Sequence, residues 1–265
     1  MRGLVLDFDG VVFNSAPEAY RVARRTYADV GPARGAEAPL PDPGEAHEAS
    51  LEAVLADPVY RGFVELMPLG NRAEDYAVIL SLLEREVGVR DQAGYDRERE
   101  AIAASYQDAY HARFYEVRTG FQDGHPEAWR ALQGPYQPLV ELLQRRAPDV
   151  ELAIATAKDR RSVRLLLEDH GLGGLFPDER VMDKETGRSK AVHLQVLSGV
   201  LGIPLPEITF VDDKVNHLDA VAPLGVRCVL AAWGYNGDRE RDLARESGYV
   251  VCPLAEAERL LFPTR

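Results

Sequence analysis

The sequence predicts an α/β fold, in which a doubly wound, Rossmann-like parallel sheet carries an inserted helical domain. Short apolar strands alternate with helical segments from Pro138 onwards, which is typical of parallel sheets with right-handed crossovers. A first buried strand stands far upstream, at residues 3–7. The segment between these regions is mostly helical in its spacing. We therefore expect a core of residues 1–14 and 132–265, and a helical domain of residues 15–131.

The first strand is a short apolar run, Gly3-Leu4-Val5-Leu6, that ends in an acidic turn containing Gly10. Such a run is typical of a buried parallel strand, and ligands of open α/β sheets bind where these strands end. The spacing from Ser15 to about Tyr27 predicts a helix. The stretch 31–47 holds four prolines, so we expect a loop or a mobile hinge there.

The remaining elements follow from the same patterns. In the helical domain, the spacing predicts helices at 75–87 and 97–115. In the core, strands are predicted at 151–155, 180–182, 208–211, 226–230 and 249–251. Helices are predicted at 139–146, 160–169, 190–201, 216–222 and from Leu254.

Composition limits the classes of partner. The net charge of −12 and the pI near 5.0 disfavour nucleic acid and anionic membrane surfaces as partners. The longest apolar stretches are only a few residues long, so we expect neither a membrane span nor a signal peptide. We therefore expect a cytoplasmic protein whose anionic substrate is held by local positive charge.

Polar residues follow three of the predicted strands: aspartates follow the strands at 3–7 and 208–211, and Thr156 follows the strand at 151–155. Side chains alternate along an extended segment, so Asp7 and Asp9 can point to the same side while Phe8 faces the apolar layer. Asp212 and Asp213 end another strand. The repulsion among up to four carboxylates would raise their pKa values or require a cation. Hard oxygen ligands favour Mg²⁺.

Two further residues can bind a phosphate. Ser189 is a candidate N-cap for the helix beginning at Lys190, which would put an ammonium group and free backbone N–H groups at one helix terminus. Thr156 adds a hydroxyl donor after its strand, and it can also cap the following helix. With a carboxylate nucleophile and a general acid, these groups suit phosphoryl transfer through an aspartyl-phosphate.

Taken together, these residues resemble the haloacid dehalogenase-like superfamily, whose four motifs occur in this order. The matching segments are Asp7-Phe8-Asp9-Gly10-Val11-Val12, Ile154-Ala155-Thr156, Lys190 and Phe210-Val211-Asp212-Asp213. The resemblance implies that Asp7 attacks phosphorus, and that Asp9 protonates the leaving group and later activates water. An insertion after the first motif is similar to the family's C1 helical cap, which closes over the active site and sets specificity.

The resemblance also implies the ligands of the phosphoryl group and the metal. Thr156 and Lys190 hold the phosphoryl oxygens, and Mg²⁺ is bound by Asp7, the Asp9 backbone carbonyl and Asp213, with Asp212 nearby as a ligand or a supporting residue. The lysine is not followed by the proline found in many relatives, and Lys184 is the alternative phosphate-binding lysine.

Other charged residues have ordinary explanations. Lys158, Arg160 and Arg161 open a helix, where we expect a solvated surface. Arg72 is expected to be a surface arginine rather than a substrate ligand. The six histidines show no paired ligand spacing, so a zinc site is not expected, and each is taken as a structural or surface residue.

The leading hypothesis is a phosphatase that acts on a small phosphorylated metabolite. A dehalogenase of the family would not be expected to carry Asp9 or to need Mg²⁺. A phosphomutase stays open, because it differs mainly in excluding water from the aspartyl-phosphate. A non-catalytic binding protein with this fold is a third possibility. The sequence decides neither the substrate nor the oligomeric state.

Overall fold

Residues 2–35, 39–70, 72–187 and 189–262 are described by the computed structural model of the chain. The chain divides into an α/β unit, residues 1–14 and 135–265, and a helical unit, residues 15–134. Residues 36–38 of the loop expected at 31–47 lie outside the described residues, as do residues 263–265.

One parallel sheet forms the centre of the α/β unit. The strands assigned among the described residues are β1 (Gly3–Leu6), β2 (Phe13–Asn14), β3 (Gly134–Pro135), β4 (Glu151–Ala155), β5 (Val181–Met182), β6 (Ile208–Asp212), β7 (Arg227–Ala231) and β8 (Val250–Cys252). Six of them form the sheet, in the order β5-β4-β1-β6-β7-β8. Leu6 of the central β1 pairs with Ile154 on one side and Val211 on the other. The doubly wound parallel sheet is therefore confirmed.

Apart from Gly134, where β3 begins, the described residues of the helical unit contain no strand. Its α-helices are α1 (Ala16–Val30), α2 (Leu51–Ala56), α3 (Pro58–Leu66), α4 (Ala73–Glu84), α5 (Gln92–Glu100), α6 (Ala104–Gly124) and α7 (Pro126–Ala131). The helix expected at 75–87 ends early, since Glu86 takes a left-handed conformation with φ 54°. The single helix expected at 97–115 is wrong. The chain breaks between α5 and α6, where the Gln107 side chain donates to the carbonyls of Arg99 and Ile102.

The described residues on either side of 36–38 form a loop, as expected, but part of that loop is fastened to α1. The Arg21 guanidinium donates to the carbonyls of Pro43 and Glu45 at 2.8 and 2.7 Å. Arg24 donates to the Pro41 carbonyl at 2.6 Å. Both arginines are buried, so these carbonyls satisfy cations that would otherwise be costly to bury.

Helices surround the sheet in the α/β unit. They are α8 (Gln137–Arg146), α9 (Arg160–Asp169), α10 (Lys190–Leu201), α11 (Val215–Val221), α12 (Asp238–Glu246) and α13 (Ala257–Leu261). The predicted bounds of α9 and α10 agree with the structure, whereas α12 was not predicted. Val5, Phe210 and Leu230 of the sheet pack with Leu194 and Leu218 of the helices in one buried cluster. No described helix is long and apolar enough to cross a membrane.

Candidate active site

A tight turn follows β1 and carries the two aspartates singled out by the sequence. The Asp7 N–H donates to the Val211 carbonyl at 2.9 Å, which extends the pairing of β1 with β6 by one residue. The Phe8 carbonyl then accepts the N–H groups of Val12 and Phe13, each at 2.9 Å. Phe8 is fully buried and stacks on Phe13. The turn therefore anchors Asp7 at the end of the central strand.

Gly10 allows this turn to approach the end of β6. Its φ is +81°, and a Cβ at this position would lie 2.5 Å from the Asp213 Oδ2 and 3.0 Å from the Tyr235 ring. A residue with a side chain would be strained by its backbone and blocked by its neighbours. Only glycine fits here without a shift of these neighbours.

Lys190 lies at the centre of the charged cluster. Its Nζ is 2.7 Å from the Asp7 Oδ1 and 3.3 Å from the Asp212 Oδ2, and it donates to the Ala155 carbonyl at 2.6 Å. The lysine begins α10, where the Ser189 hydroxyl accepts the Val192 N–H as the predicted cap. Burial alone would lower the pKa of Lys190, but the two carboxylates outweigh burial and raise it.

The alternative lysine has a different environment. The Lys184 side chain is 45% exposed, and its ammonium lies 3.9 Å from Glu185. Lys190 is therefore the lysine that the structure brings to Asp7, because α10 begins beside the ends of β1 and β4.

Asp212 is fully buried and surrounded by positive partners. Its two oxygens each lie 3.1 Å from the His217 Nδ1, and Oδ1 accepts the Lys214 N–H at 2.9 Å. Burial raises the pKa of this carboxyl, but His217 and Lys190 together reverse the effect and hold it below its usual value. Burial alone would lower the pKa of His217, but the neighbouring Asp212 outweighs burial and raises it.

The other two buried carboxyls are shifted in the opposite direction. Burial raises the pKa of Asp7 to about 7, although Lys190 opposes the rise. Burial raises the pKa of Asp213 to about 6, with Lys214 opposing and Asp212 reinforcing the rise. Without a cation, Asp7 and Asp213 are therefore poorly stabilised as carboxylates.

A possible metal site lies among these groups. Ligand atoms of Asp7, Asp212 and His217 all lie within 4.8 Å of one another. Asp213 was expected to bind the metal directly. In the structure its Oδ2 accepts a hydrogen bond from the Tyr235 N–H at 2.7 Å. The structure thus brings Asp212 together with Asp7 and adds His217, which the sequence analysis set aside. The sequence feature that could have indicated His217 was its position five residues after Asp212, in the first turn of α11.

Asp9 faces a lysine that the sequence analysis assigned to the surface. The Lys158 Nζ lies 3.1 Å from the Asp9 Oδ1, and the Lys158 side chain is only 4% exposed. The expectation of a solvated Lys158 is therefore wrong. It lies three residues after β4, which pairs directly with β1, so its ammonium can reach Asp9. Arg160, in contrast to Lys158, has an exposed side chain, as expected, and it pairs with Asp183.

Thr156 is buried at the end of β4. Its N–H donates to the Met182 carbonyl at 2.8 Å, and its Oγ1 accepts the Lys158 N–H at 3.1 Å. An accepting hydroxyl still carries a hydrogen that it can donate. Thr156 does not cap α9, because Asp159 does so by accepting the Ser162 N–H.

A late loop closes over the turn after β1, and sequence reasoning missed it. Trp233 donates to the Val11 carbonyl at 3.0 Å, and the Tyr235 hydroxyl donates to Asn14 at 3.1 Å. A Cβ on Gly234 would collide with Asp213 and with the Gly10 carbonyl. Residues 233–236, which we term the clasp loop, therefore hold the turn and Asp213 together.

The chain is similar in sequence to a known family and to individual proteins. A family model described as haloacid dehalogenase-like hydrolase matches residues 1–225. A tyrosine-protein kinase, PtkA, of Mycobacterium tuberculosis is 26% identical over 97% of this chain and 70% of its own length. A phosphoglycolate phosphatase of Pseudomonas savastanoi pv. phaseolicola is 31% identical over 38% of this chain and 37% of its own length.

Solved structures share the fold at low sequence identity. A haloacid dehalogenase-like family hydrolase from Streptococcus pneumoniae superposes with a TM-score of 0.65 at 12% identity, over 98% of both chains. A predicted phosphoglycolate phosphatase from Haemophilus somnus 129pt gives a TM-score of 0.64 at 18% identity, also over 98% of both chains. At these identities the likeness shows the fold alone.

Proposed function

Because the chain belongs to the haloacid dehalogenase-like hydrolase family, we propose that it is a phosphatase that forms a phosphoryl intermediate on Asp7. The observation that carries this proposal is the contact of Lys190 with both Asp7 and Asp212. It places a buried ammonium beside the carboxylate proposed as nucleophile, at the N-terminus of α10, where an anionic group is favoured.

The first step transfers the phosphoryl group to the protein. An oxygen of Asp7 attacks phosphorus, the bond to the leaving oxygen breaks, and that oxygen takes a proton from the Asp9 carboxyl. Lys190 and the Thr156 hydroxyl hold the phosphoryl oxygens. In the second step the Asp9 carboxylate takes a proton from water, the water oxygen attacks phosphorus, and Asp7 and inorganic phosphate are released.

The residues present fit a divalent cation. Asp7 and Asp212 offer carboxylate oxygens, which suit Mg²⁺, and the Asp9 backbone carbonyl and Asp213 are the further ligands we propose. His217 adds a nitrogen donor to the group. The burial that raises the pKa values of Asp7 and Asp213 would be offset by such a charge. When bound, Mg²⁺ supplies positive charge that neutralises the phosphoryl oxygens.

We further propose that residues 15–131 act as a C1-type cap that selects a small phosphorylated metabolite. This is supported by the position of the segment directly after the turn that carries Asp9. The relative from Pseudomonas savastanoi pv. phaseolicola is named a phosphoglycolate phosphatase, so phosphoglycolate is the first substrate to test.

A substrate panel tests the proposal. Release of inorganic phosphate is measured from phosphoglycolate, phosphorylated sugars, nucleotides and an aryl phosphate, with Mg²⁺ present. The matched control is Asp7→Asn, which keeps the shape of the side chain and removes the nucleophile. Turnover of any compound that is lost in the control supports the phosphatase. Wild-type turnover that never exceeds the control would refute it.

The 26% identity to PtkA over 97% of the chain favours a second candidate, transfer of the phosphoryl group from Asp7 to a tyrosine hydroxyl. The chemistry of the first step is the same, and only the acceptor differs. Incubation with labelled ATP and a tyrosine-containing peptide separates the two functions. Label on the peptide indicates the kinase, whereas label in inorganic phosphate alone indicates the hydrolase.

A further inference from the structure

The ion pair between Lys158 and Asp9 joins a buried cation to the proposed proton donor. The ammonium lies 3.1 Å from the Asp9 Oδ1, and the lysine side chain is 4% exposed whereas that of Asp9 is 36% exposed. The lysine is thus almost fully removed from water, while the carboxyl group stays accessible to a substrate. Burying an ammonium is costly unless it is paired.

The position of Lys158 in the chain adds to this cost. It directly precedes Asp159, the N-cap of α9, and a cation close to a helix N-terminus opposes the helix dipole. A lysine stem could reach solvent from such a loop at little cost. The side chain instead lies buried with its ammonium 3.1 Å from the Asp9 carboxyl group, so the pairing with Asp9 helps to offset both penalties.

The backbone around Lys158 is fixed. Its N–H donates to the Thr156 Oγ1 at 3.1 Å, and the Thr156 N–H donates to the Met182 carbonyl of β5 at 2.8 Å. The lysine therefore reaches Asp9 from an anchored position. A carboxyl group on a turn gains a defined orientation from such a partner.

Resting on the proposed function, we propose that Lys158 is a positioning residue that holds the Asp9 carboxyl group facing the substrate. There it acts as the carboxylate that takes a proton from water in the second step, and as the acid that gives this proton to the next leaving oxygen. The pairing is distinct from the contact of Lys190 with Asp7, because it acts on the proton donor and not on the phosphoryl group. Lys158 should therefore matter most for substrates whose leaving oxygen needs a proton.

The test compares two substrate classes through kcat/KM, which reports the steps up to transfer to Asp7. An alkyl phosphate leaves as a poor alkoxide unless it is protonated, whereas p-nitrophenolate leaves without a proton. General acids contribute about 10²–10⁴-fold, so Lys158→Met should lower kcat/KM for an alkyl phosphate by about 30-fold or more, and for p-nitrophenyl phosphate by less than about threefold. Lys158→Arg, which keeps the charge, should restore most of the loss.

Two controls separate positioning from other roles. Lys184→Met removes an exposed lysine and should leave kcat/KM unchanged for both substrates. In the Asp9→Asn background, Lys158→Met should cause no further loss on the alkyl phosphate, since the group that it positions is already gone. Inhibition by inorganic phosphate should be unchanged by Lys158→Met.

Each alternative result would overturn the inference. An equal loss on both substrates, or weaker inhibition by inorganic phosphate, would make Lys158 a structural or phosphate-binding residue. A further loss in the Asp9→Asn background would show that it acts independently of Asp9. A wild-type protein without turnover of any compound in the substrate panel would instead refute the proposed phosphatase. If Lys158→Met does not fold, Lys158→Gln, which also removes the charge but stays polar, is used for the same comparison.

Discussion

Replacing Lys190 with methionine should destabilise the metal-free protein and abolish most of its activity. The ammonium contacts Asp7, Asp212 and the Ala155 carbonyl, at 2.7, 3.3 and 2.6 Å, and it is buried. Removing one partner from a buried ion pair costs about 3–5 kcal/mol, because the remaining charges are left without compensation. At about 2–4 °C per kcal/mol, the melting temperature should fall by about 10 °C.

Thermal unfolding followed by circular dichroism in EDTA measures the loss of stability. Lys184→Met is the matched control. That side chain is 45% exposed, so the substitution should change the free energy of unfolding by less than about 0.5 kcal/mol. Loss of a charged donor to the phosphoryl group should also lower kcat by about 10²–10³-fold. A Lys190→Met protein as stable as the wild type, or one with more than a tenth of its activity, would refute this account of the site.

Three further results are expected. Burial raises the pKa of Asp213 from 3.8 to about 6, so between these pH values the folded state keeps a proton that the unfolded chain has released, and the free energy of unfolding of the metal-free protein should fall by up to about 3 kcal/mol as the pH rises. Urea unfolding measures this slope, to which Asp7 also contributes because its pKa is raised to about 7. Asp213→Asn should remove only the part due to Asp213, and an unchanged slope would contradict the assignment. Gly10→Ala should lower the free energy of unfolding by about 1–3 kcal/mol and remove most of the activity, because φ is +81°. Gly174→Ala, with no atom within 4 Å of its Cβ position, should be tolerated, and similar melting temperatures for the two variants would refute this account of Gly10. EDTA should abolish phosphate release and added Mg²⁺ should restore it, and full activity in the chelator would remove the metal from the mechanism.

Sequence patterns sufficed for the sheet and for much of the charged cluster. Parallel strands place their ends along one edge, so apolar runs ending in Asp7, Thr156 and Asp212 could be assigned to one region before any contact was known. The spacing of α10 also placed Lys190 at a helix start. These features follow from the local periodicity of apolar residues and from the common direction of parallel strands.

Contacts that depend on side-chain direction could not be read in this way. Lys158 follows its strand by three residues, and nothing local distinguishes a lysine that folds back to Asp9 from one that points to solvent. The helix that carries His217 was predicted to within one residue, but its spacing does not show that the His217 Nδ1 turns back to Asp212. The helix α12 was missed because its sequence, DRERDLARE, has few apolar residues to reveal a period. Its start is instead fixed by Glu240, which accepts the Gly237 N–H at 2.9 Å.

The clasp loop has a consequence for the order in which the protein is assembled. It fastens Gly10 and Asn14, near the beginning of the sequence, through Gly234 and Tyr235, near its end. Contacts between such distant positions form slowly, because a long chain must first be closed into a loop. During synthesis the turn with Asp7 and Asp9 leaves the ribosome early, yet it lacks this support until residues 233–236 emerge. We therefore expect the nascent chain to pair β1, β4, β5 and β6 before it gains a working site.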